Sequence, residues 1–322
     1  MPEMIISRFS DNKWSEPEFV SSDAVTLHPG SHVLHYASTC FEGLKAFRHA
    51  DGSVKIFRMD QNVNRFEQSS RLLALPAVDK PMLAQMIIDI VARFKDKVPE
   101  TPGSMYIRPT HIGTEAAIGK AASPSLESLM YVLLTPVGDY FSSDVSLRLV
   151  LDDVGMRCAP DNGMIKSGGN YASALKHMIR AKSEYNADQV LFCSEGGVTE
   201  TGAANFLLID GDEIITKALD ESFLHGVTRD SVLTLAREQG YSINERDLSA
   251  QELVERAQHP DCEAALSGTA AVLASVGTLI FHDVEHRVGS GQAGPRVAQL
   301  KKSLNEIQWG IAADKHNWMI QV

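Results

Sequence analysis

Two short stretches constrain the fold of this chain more than anything else in it. In GLKAFRHADGSVKIFR (43–58) and NFLLIDGDEIITKA (205–218), strand-like runs flank an Asp-Gly pair, Asp51-Gly52 in one and Asp210-Gly211 in the other. Asp-Gly favours the positive φ angles of a type I′ hairpin turn. A chain that turns back on itself this way does not build its sheets from parallel crossovers alone. Helical periods are interleaved with these hairpins. Pro81–Lys97 sets Met82, Leu83, Met86, Ile87, Ile90, Val91 and Phe94 on one face, with Asp79 as its N-cap. Ser249 and Glu252 have capping-box spacing ahead of ELVERA, and Asn170–Tyr185 predicts a helix with Ala172, Leu175, Met178 and Ile179 inward. SMYIRPTHIG, ESLMYVLLT, VSLRLVL and DQVLFC read as strands. The expected fold class is α/β in the broad α+β sense, with mixed sheets and flanking helices.

At 322 residues the chain exceeds one average domain. The turn-rich segment Thr135–Asp144 follows an apolar strand and marks the expected break. It divides the chain into a smaller N-terminal α/β domain, 1–136, a loop, 137–146, and a larger C-terminal domain, 147–322. The formal charge of −11 would repel the phosphates of nucleic acid and of anionic membranes, so neither is expected as a partner. No apolar run approaches the ~20 residues of a membrane helix, and MPEMIISRFSDNKW lacks the basic and apolar regions of a secretory signal. Cys40, Cys158, Cys193 and Cys262 have no metal-like or redox spacing, which suits reduced thiols in a cytoplasmic protein.

Two motif matches carry little weight. GSGQAG (289–294) fits a dinucleotide fingerprint, but the strand before it would be the charged FHDVEHRV, and only eight residues follow Asp314. A glycine-rich loop before the last helix is the expectation. HDVEH (282–286) imitates an inverted zincin pattern in a strand-and-turn context, and no metal site is expected.

The segment GMIKSGGNYASALK carries the chemistry. Lys166 lies between the apolar Met164-Ile165 and a Gly168-Gly169 step that opens a helix. Apolar neighbours desolvate an ammonium and favour a nucleophilic amine. The two glycines would let a flat ligand approach the backbone, and Tyr171 could reach the same ligand. A Schiff base with an aldehyde cofactor fits these features. A pyridoxal ring also needs a carboxylate to keep its nitrogen protonated, and VTETGAANF offers Glu200. Its phosphate needs an anion cradle. HGVTRDS runs a Gly-Val-Thr turn into a helix at Arg229–Gln239, and LSGTAAV gives a second turn with Ser267, Gly268 and Thr269.

In this order, LHYASTCFEGLKAFR, YIRPTHIGTE, LLTPVGDYF, IKSGGNYASAL, TETGAANF, HGVTR and SGTAA resemble the blocks of the branched-chain amino-acid aminotransferases, a class IV, fold type IV family that uses pyridoxal 5′-phosphate. The resemblance spans nearly the whole chain. It implies a two-domain architecture with the cofactor between the domains. It implies that Lys166 holds the cofactor covalently, that Glu200 pairs with the pyridinium nitrogen, and that Tyr171 pairs with the ring oxygen. Arg65, Val227, Thr228 and Thr269 would hold the phosphate. Tyr106 and the Thr269-Ala270 turn would take the substrate α-carboxylate. Tyr36 and Phe41 would line the side-chain pocket, Tyr140 would reach in from a second subunit, and Arg108 would receive the distal carboxylate of glutamate. The implied reaction is a ping-pong transfer of the amino group from L-leucine, L-isoleucine or L-valine to 2-oxoglutarate, by a homodimer or higher homo-oligomer. The chain departs from the family pattern at Ala203, where many members have threonine, and at Lys120, where a small apolar residue is common. It also lacks the Cys-x-x-Cys of the mammalian enzymes. An aminodeoxychorismate lyase and a D-amino-acid aminotransferase are the alternatives within the same fold.

Overall fold

The computed structural model describes residues 1–138 and 145–322. They form two compact units. One gathers Met1–Gly138, Ile165–Gly168 and Ile307–Val322; the other holds the described residues of Asp139–Met164 and Gly169–Glu306. The chain begins β1 (Glu3–Ser10), β2 (Lys13–Trp14), β3 (Glu18–Ser21), α1 (His32–Tyr36), β4 (Thr39–Phe41), β5 (Leu44–Arg48) and β6 (Val54–Phe57). It goes on through α2 (Met59–Leu72), α3 (Lys80–Arg93), β7 (Ser104–Gly113), β8 (Ser128–Val137), β9 (Leu147–Asp152), α4 (Gly168–Tyr185) and β10 (Gln189–Phe192). Next come β11 (Asn205–Asp210), β12 (Glu213–Thr216), α5 (Val227–Glu238), β13 (Ser242–Glu245), α6 (Ala250–Ala257) and β14 (Cys262–Gly268). The last elements are β15 (Val272–Phe281), β16 (Val284–Arg287), α7 (Pro295–Gln308) and β17 (Met319–Gln321).

The first unit's sheet runs β17-β6-β5-β7-β8-β1-β2, with β3 on β1 and β4 on β7. Each of these pairings is antiparallel. The amphipathic faces of α2 and α3 place Phe66, Leu83, Met86 and Ile90 in one buried cluster with Ala46, Ile56, Met105, Ile107 and Val132 of the sheet. The second unit's sheet runs β10-β9-β15-β14-β11-β12-β13, with β16 on β15. Here β9 lies parallel to β10 and β15, and β12 parallel to β13, so this sheet is mixed. Neither unit is one continuous stretch, unlike the contiguous domains expected. β17 pairs with β6, and Ser167 bridges Cys40, so two later segments return to the first unit.

Both expected hairpins form, with different turns. Arg48 pairs with Val54, leaving five loop residues, and of Asp51-Gly52 only Gly52 has positive φ. At the second, Asp210 pairs with Glu213, so the turn is Gly211-Asp212, with positive φ at Gly211 alone. Glycine in the first central position belongs to type II′. Two-residue turns with positive φ at both positions are instead Asp11-Asn12, joining β1 to β2, and His282-Asp283, joining β15 to β16.

Asp79 caps α3, its carboxylate accepting the Met82 N–H at 3.0 Å. Ser249 caps α6 by accepting from the Glu252 N–H at 3.0 Å. The reciprocal half of that capping box is missing, because the Glu252 carboxylate pairs with Arg246 and Arg256 instead. On α4 the inward residues are Asn170, Ala174 and Ala181, while Ala172, Leu175 and Ile179 are exposed. Two apolar stripes overlap on this helix, and the small-residue stripe faces the sheet beside Val190, Phe192 and Ile280. No described helix is long and apolar enough to cross a membrane.

One buried polar chain runs through the first unit. His111 is fully buried, with Nδ1 3.0 Å from Ser70 Oγ and Nε2 2.8 Å from Ser128 Oγ. Burial pushes its pKa from 6.5 down to about 3. The unfolded chain therefore binds a proton below pH 6.5 that the folded chain refuses until about pH 3. Stability present above pH 6.5 is lost as pH falls through that window, with a slope of up to about 1.4 kcal/mol per pH unit from this residue. Urea unfolding at pH 7, 5 and 4 should show a flatter pH dependence in His111→Gln than in the parent chain. Identical slopes would refute the account.

Candidate active site

One half of the candidate residues lies in the first unit, around an interruption in its strand pairing. β4 pairs with β7 over Thr110–Ile112 and β5 over Met105–Ile107, which leaves Glu42-Gly43 opposite Arg108-Pro109. Proline has no N–H to offer a ladder. The Pro109 carbonyl still accepts the Glu42 N–H at 2.9 Å. The strand pairing therefore lapses at Glu42-Gly43, with the register on β7 unchanged on either side, and Gly43 is closely approached there. A Cβ on Gly43 would sit 2.0 Å from the Tyr106 hydroxyl.

Lys166 is held beside this link by its backbone. Its carbonyl accepts the Phe41 N–H at 3.0 Å, and its N–H donates to Ser69 Oγ of α2 at 3.1 Å. Its Nζ lies 5.3 Å from the centre of the Phe41 ring. The Arg108 guanidinium lies 4.5 Å from the same ring, close enough for a cation–π contact. Tyr106 and Arg108 share one face of β7 at the strand period of two, and Arg108 Nη2 donates to the Tyr106 hydroxyl at 2.9 Å. Arg108 Nε is buried without a hydrogen-bond partner among the described residues, an unmet donor suited to a carboxylate. Arg65 projects from α2 one turn before Ser69, and both are buried.

The expectations for this half fare unevenly. Lys166, Phe41, Tyr106 and Arg108 come together. Tyr36 is held by a different set of contacts, its phenol donating to the Ile118 carbonyl and its ring 4.8 Å from that of His32. Lys120 forms an ion pair with Glu115. Gly168 is not demanded by space, since a Cβ there would meet Thr39 at an ordinary 3.5 Å. Tyr140 lies outside the described residues.

The second unit has its own cluster, organised by Asn205. Glu200 is 2% exposed. Its Oε1 accepts from Arg157 Nη1 at 2.8 Å and from the Leu224 N–H at 2.8 Å, and its Oε2 accepts from Asn205 Nδ2 at 3.2 Å. Asn205 Nδ2 also donates to the Leu224 carbonyl at 2.8 Å, and its Oδ1 would be 2.0 Å from a Cβ on Gly226, the N-cap of α5. Asn205 pairs across the sheet with Ser267, two residues before the Thr269-Ala270 turn. Asn205 thus links the acid to Leu224 through its side chain and to β14 through its strand pairing, with Gly226 close against it. Tyr171 joins through Arg157, whose guanidinium lies 5.6 Å from its ring.

Sequence reasoning missed Arg157 and Asn205. An asparagine opening an apolar strand, where it is disfavoured, was the available signal for the second.

A phosphate-bearing pyridoxal fits what is present. α5 begins at Val227 with no side-chain cap, so the first-turn N–H groups, with the Thr228 hydroxyl, suit an anion. Arg229 is not part of that cradle, because it turns inward to Glu245 at 2.8 Å. The N-terminus of α7, after GSGQAG, is already taken. The Glu263 carboxylate accepts from the N–H groups of Arg296 and Val297 at 3.1 and 2.9 Å. No cluster of metal-ligating residues occurs among the described residues, and His282 of HDVEH pairs with Asp153.

The family model for amino-transferase class IV matches residues 39–276. The branched-chain-amino-acid transaminase 1 of Bacillus subtilis is 35% identical over 317 residues, covering 96% of this chain and 88% of that protein. The chain belongs to the class IV branched-chain aminotransferases. Among solved structures of this family, that of a T.th. branched-chain amino acid aminotransferase complexed with N-(5′-phosphopyridoxyl)-L-glutamate superposes with a TM-score of 0.81 at 25% identity, covering 98% of this chain and 97% of that one. The same protein complexed with 4-methylvaleric acid superposes with a TM-score of 0.80 at 25% identity and the same coverage. Those two ligands pair a glutamate adduct of the cofactor with a branched apolar acid, both bound by one aminotransferase of this fold.

Proposed function

We infer that this chain is a pyridoxal-phosphate-dependent branched-chain amino-acid aminotransferase, which moves the amino group of L-leucine, L-isoleucine or L-valine to 2-oxoglutarate. The reading rests on one observation above the others. The residue that the family's lysine block selects, Lys166, has its amine over an aromatic ring beside Arg108 and Tyr106, with its backbone fixed at both ends.

When bound, pyridoxal 5′-phosphate supplies a ring that withdraws electrons from the substrate Cα. We assign the chain's own residues as follows. The phosphate is held by Arg65, Val227, Thr228 and Thr269, the ring oxygen by Tyr171, and the ring nitrogen by Glu200. Lys166 would be the residue that holds the cofactor covalently. Its Nζ would take the Cα proton and hold it for return, acting first as base and then as acid. Tyr106 and the Thr269-Ala270 turn orient the α-carboxylate. Phe41 and Tyr36 make an apolar wall for an isobutyl group. Arg108 meets the distal carboxylate of glutamate, and its buried Nε is the donor that a second carboxylate satisfies. A homodimer in which Tyr140 completes the partner's pocket belongs to the same reading. So does a cytoplasmic setting, where four cysteines outside any disulfide stay reduced.

Incubation with L-leucine and 2-oxoglutarate should yield glutamate and a branched 2-oxo acid. Glutamate formed only from D-amino acids, or pyruvate released from aminodeoxychorismate in their place, overturns the assignment.

A further inference from the structure

We propose that Glu42 is a positioning residue for phosphate recognition, acting through Arg65. The proposal rests on the reading above that Arg65 meets the cofactor phosphate. Glu42 is fully buried, and both its oxygens are committed to one edge of one guanidinium. Oε1 accepts from Arg65 Nε at 2.6 Å, and Oε2 accepts from Arg65 Nη2 at 2.9 Å. Oε2 also accepts the Gly43 N–H at 3.1 Å, and the Glu42 N–H is fixed to the Pro109 carbonyl at 2.9 Å. The carboxylate is therefore anchored to the β4–β5 link before it grips the arginine.

A long arginine on a helix samples many rotamers, and a side-on fork removes that freedom. A planar guanidinium has a second edge, Nη1 with Nη2, whose direction is set once the Nε–Nη2 edge is clamped. Charge alone does not explain the arrangement. A buried ion pair gives little net stability over apolar residues of the same size, and its best-attested use is to fix a geometry. Here the geometry fixed is that of the arginine assigned to a doubly charged ligand group. The same two-residue step also leaves room at Gly43 for the Tyr106 phenol. Glu42 and Gly43, adjacent in the chain, thus position Arg65 and admit the Tyr106 phenol respectively.

The competing account is that Glu42 only staples the sheet to α2. The two separate on the affinity of the full chain, stripped of cofactor, for pyridoxal 5′-phosphate relative to pyridoxal, which lacks the phosphate. Both are titrated by absorbance or tryptophan fluorescence. In Glu42→Gln the ratio of the two affinities should fall by about tenfold or more, because an unclamped fork no longer meets its anion in register. Pyridoxal affinity itself should change less than about twofold, since the ring and aldehyde contacts are untouched. Glu42→Asp, which keeps the charge on a shorter arm, should fall between the parent and Glu42→Gln, and it carries the test if the glutamine variant does not fold. Adding Glu42→Gln to Arg65→Met should change the ratio no further. A ratio equal to that of the parent chain, with only the denaturation midpoint lowered, overturns the positioning role. If the parent chain itself binds neither aldehyde, the cofactor reading fails first and takes this proposal with it.

Discussion

Replacing Lys166 with alanine is expected to abolish turnover while the chain stays folded. The backbone of residue 166 is held by the Phe41 N–H and the Ser69 hydroxyl, and alanine keeps both bonds. Its side chain is half-buried, so truncation opens little space in the core. What disappears is the amine over the Phe41 ring. In the proposed function that amine would serve both as the covalent attachment point and as the proton carrier. Its loss should lower the rate of glutamate formation by at least about 10³-fold, the upper part of the range for a positioned acid–base group. The yellow, borohydride-bleachable absorbance expected of the parent protein should vanish too, while far-ultraviolet circular dichroism and the urea midpoint stay close to those of the parent. Retained turnover together with retained absorbance would remove Lys166 from the mechanism. Loss of folding would point to a packing role that its contacts do not suggest.

What the sequence made legible was local. Lys166 was readable because its neighbours, Ile165 before and the α4 start after, lie within a few residues, and Ile165 is indeed buried. The start of α5 was readable to within two residues because Gly226 and Thr228 adjoin the helix they begin. The strand SMYIRPTHIG matches β7 residue for residue, its first half alternating and its second half buried on both faces. The residues that escaped act across long separations. Glu42 grips an arginine on a different element, Arg157 reaches Glu200 from another loop, and Asn205 joins three segments by hydrogen bonds that no periodicity encodes. The turns were half legible. Asp-Gly marked both reversals, but pairing in the flanking strands moved one turn by a residue and widened the other. On α4, composition could not tell which of two apolar stripes faced the sheet, and close approach favoured the alanines.

Glu200→Gln is the second change expected to have a large effect, and its outcome is tied to Arg157. Two donors, Arg157 Nη1 and the Leu224 N–H, converge on Oε1, so the glutamine carbonyl must take that place. The amide NH₂ is then forced into the position of Oε2, where it can only donate. A ring nitrogen that must remain protonated meets a donor in place of an acceptor, and the formal charge that favoured its protonation is gone. Turnover should drop by roughly 10²-fold or more, on the scale of losing one preorganised electrostatic partner. The absorbance of bound cofactor should persist, because neither Lys166 nor the phosphate contacts change. Stability should fall as well, by roughly 3–5 kcal/mol, since the Arg157 guanidinium, only 3% exposed, loses its counter-charge. Arg157→Met alone should destabilise by a similar amount for the converse reason. Combining the two removes both buried charges, so the double variant should be more stable than the sum of the single losses predicts, by roughly 1–3 kcal/mol. It should not recover turnover, because methionine restores no acceptor at residue 200. This separation matters because a purely structural Glu200 would show activity rising with stability in the double variant. Near-parental kcat in Glu200→Gln would likewise end its assignment to the ring nitrogen.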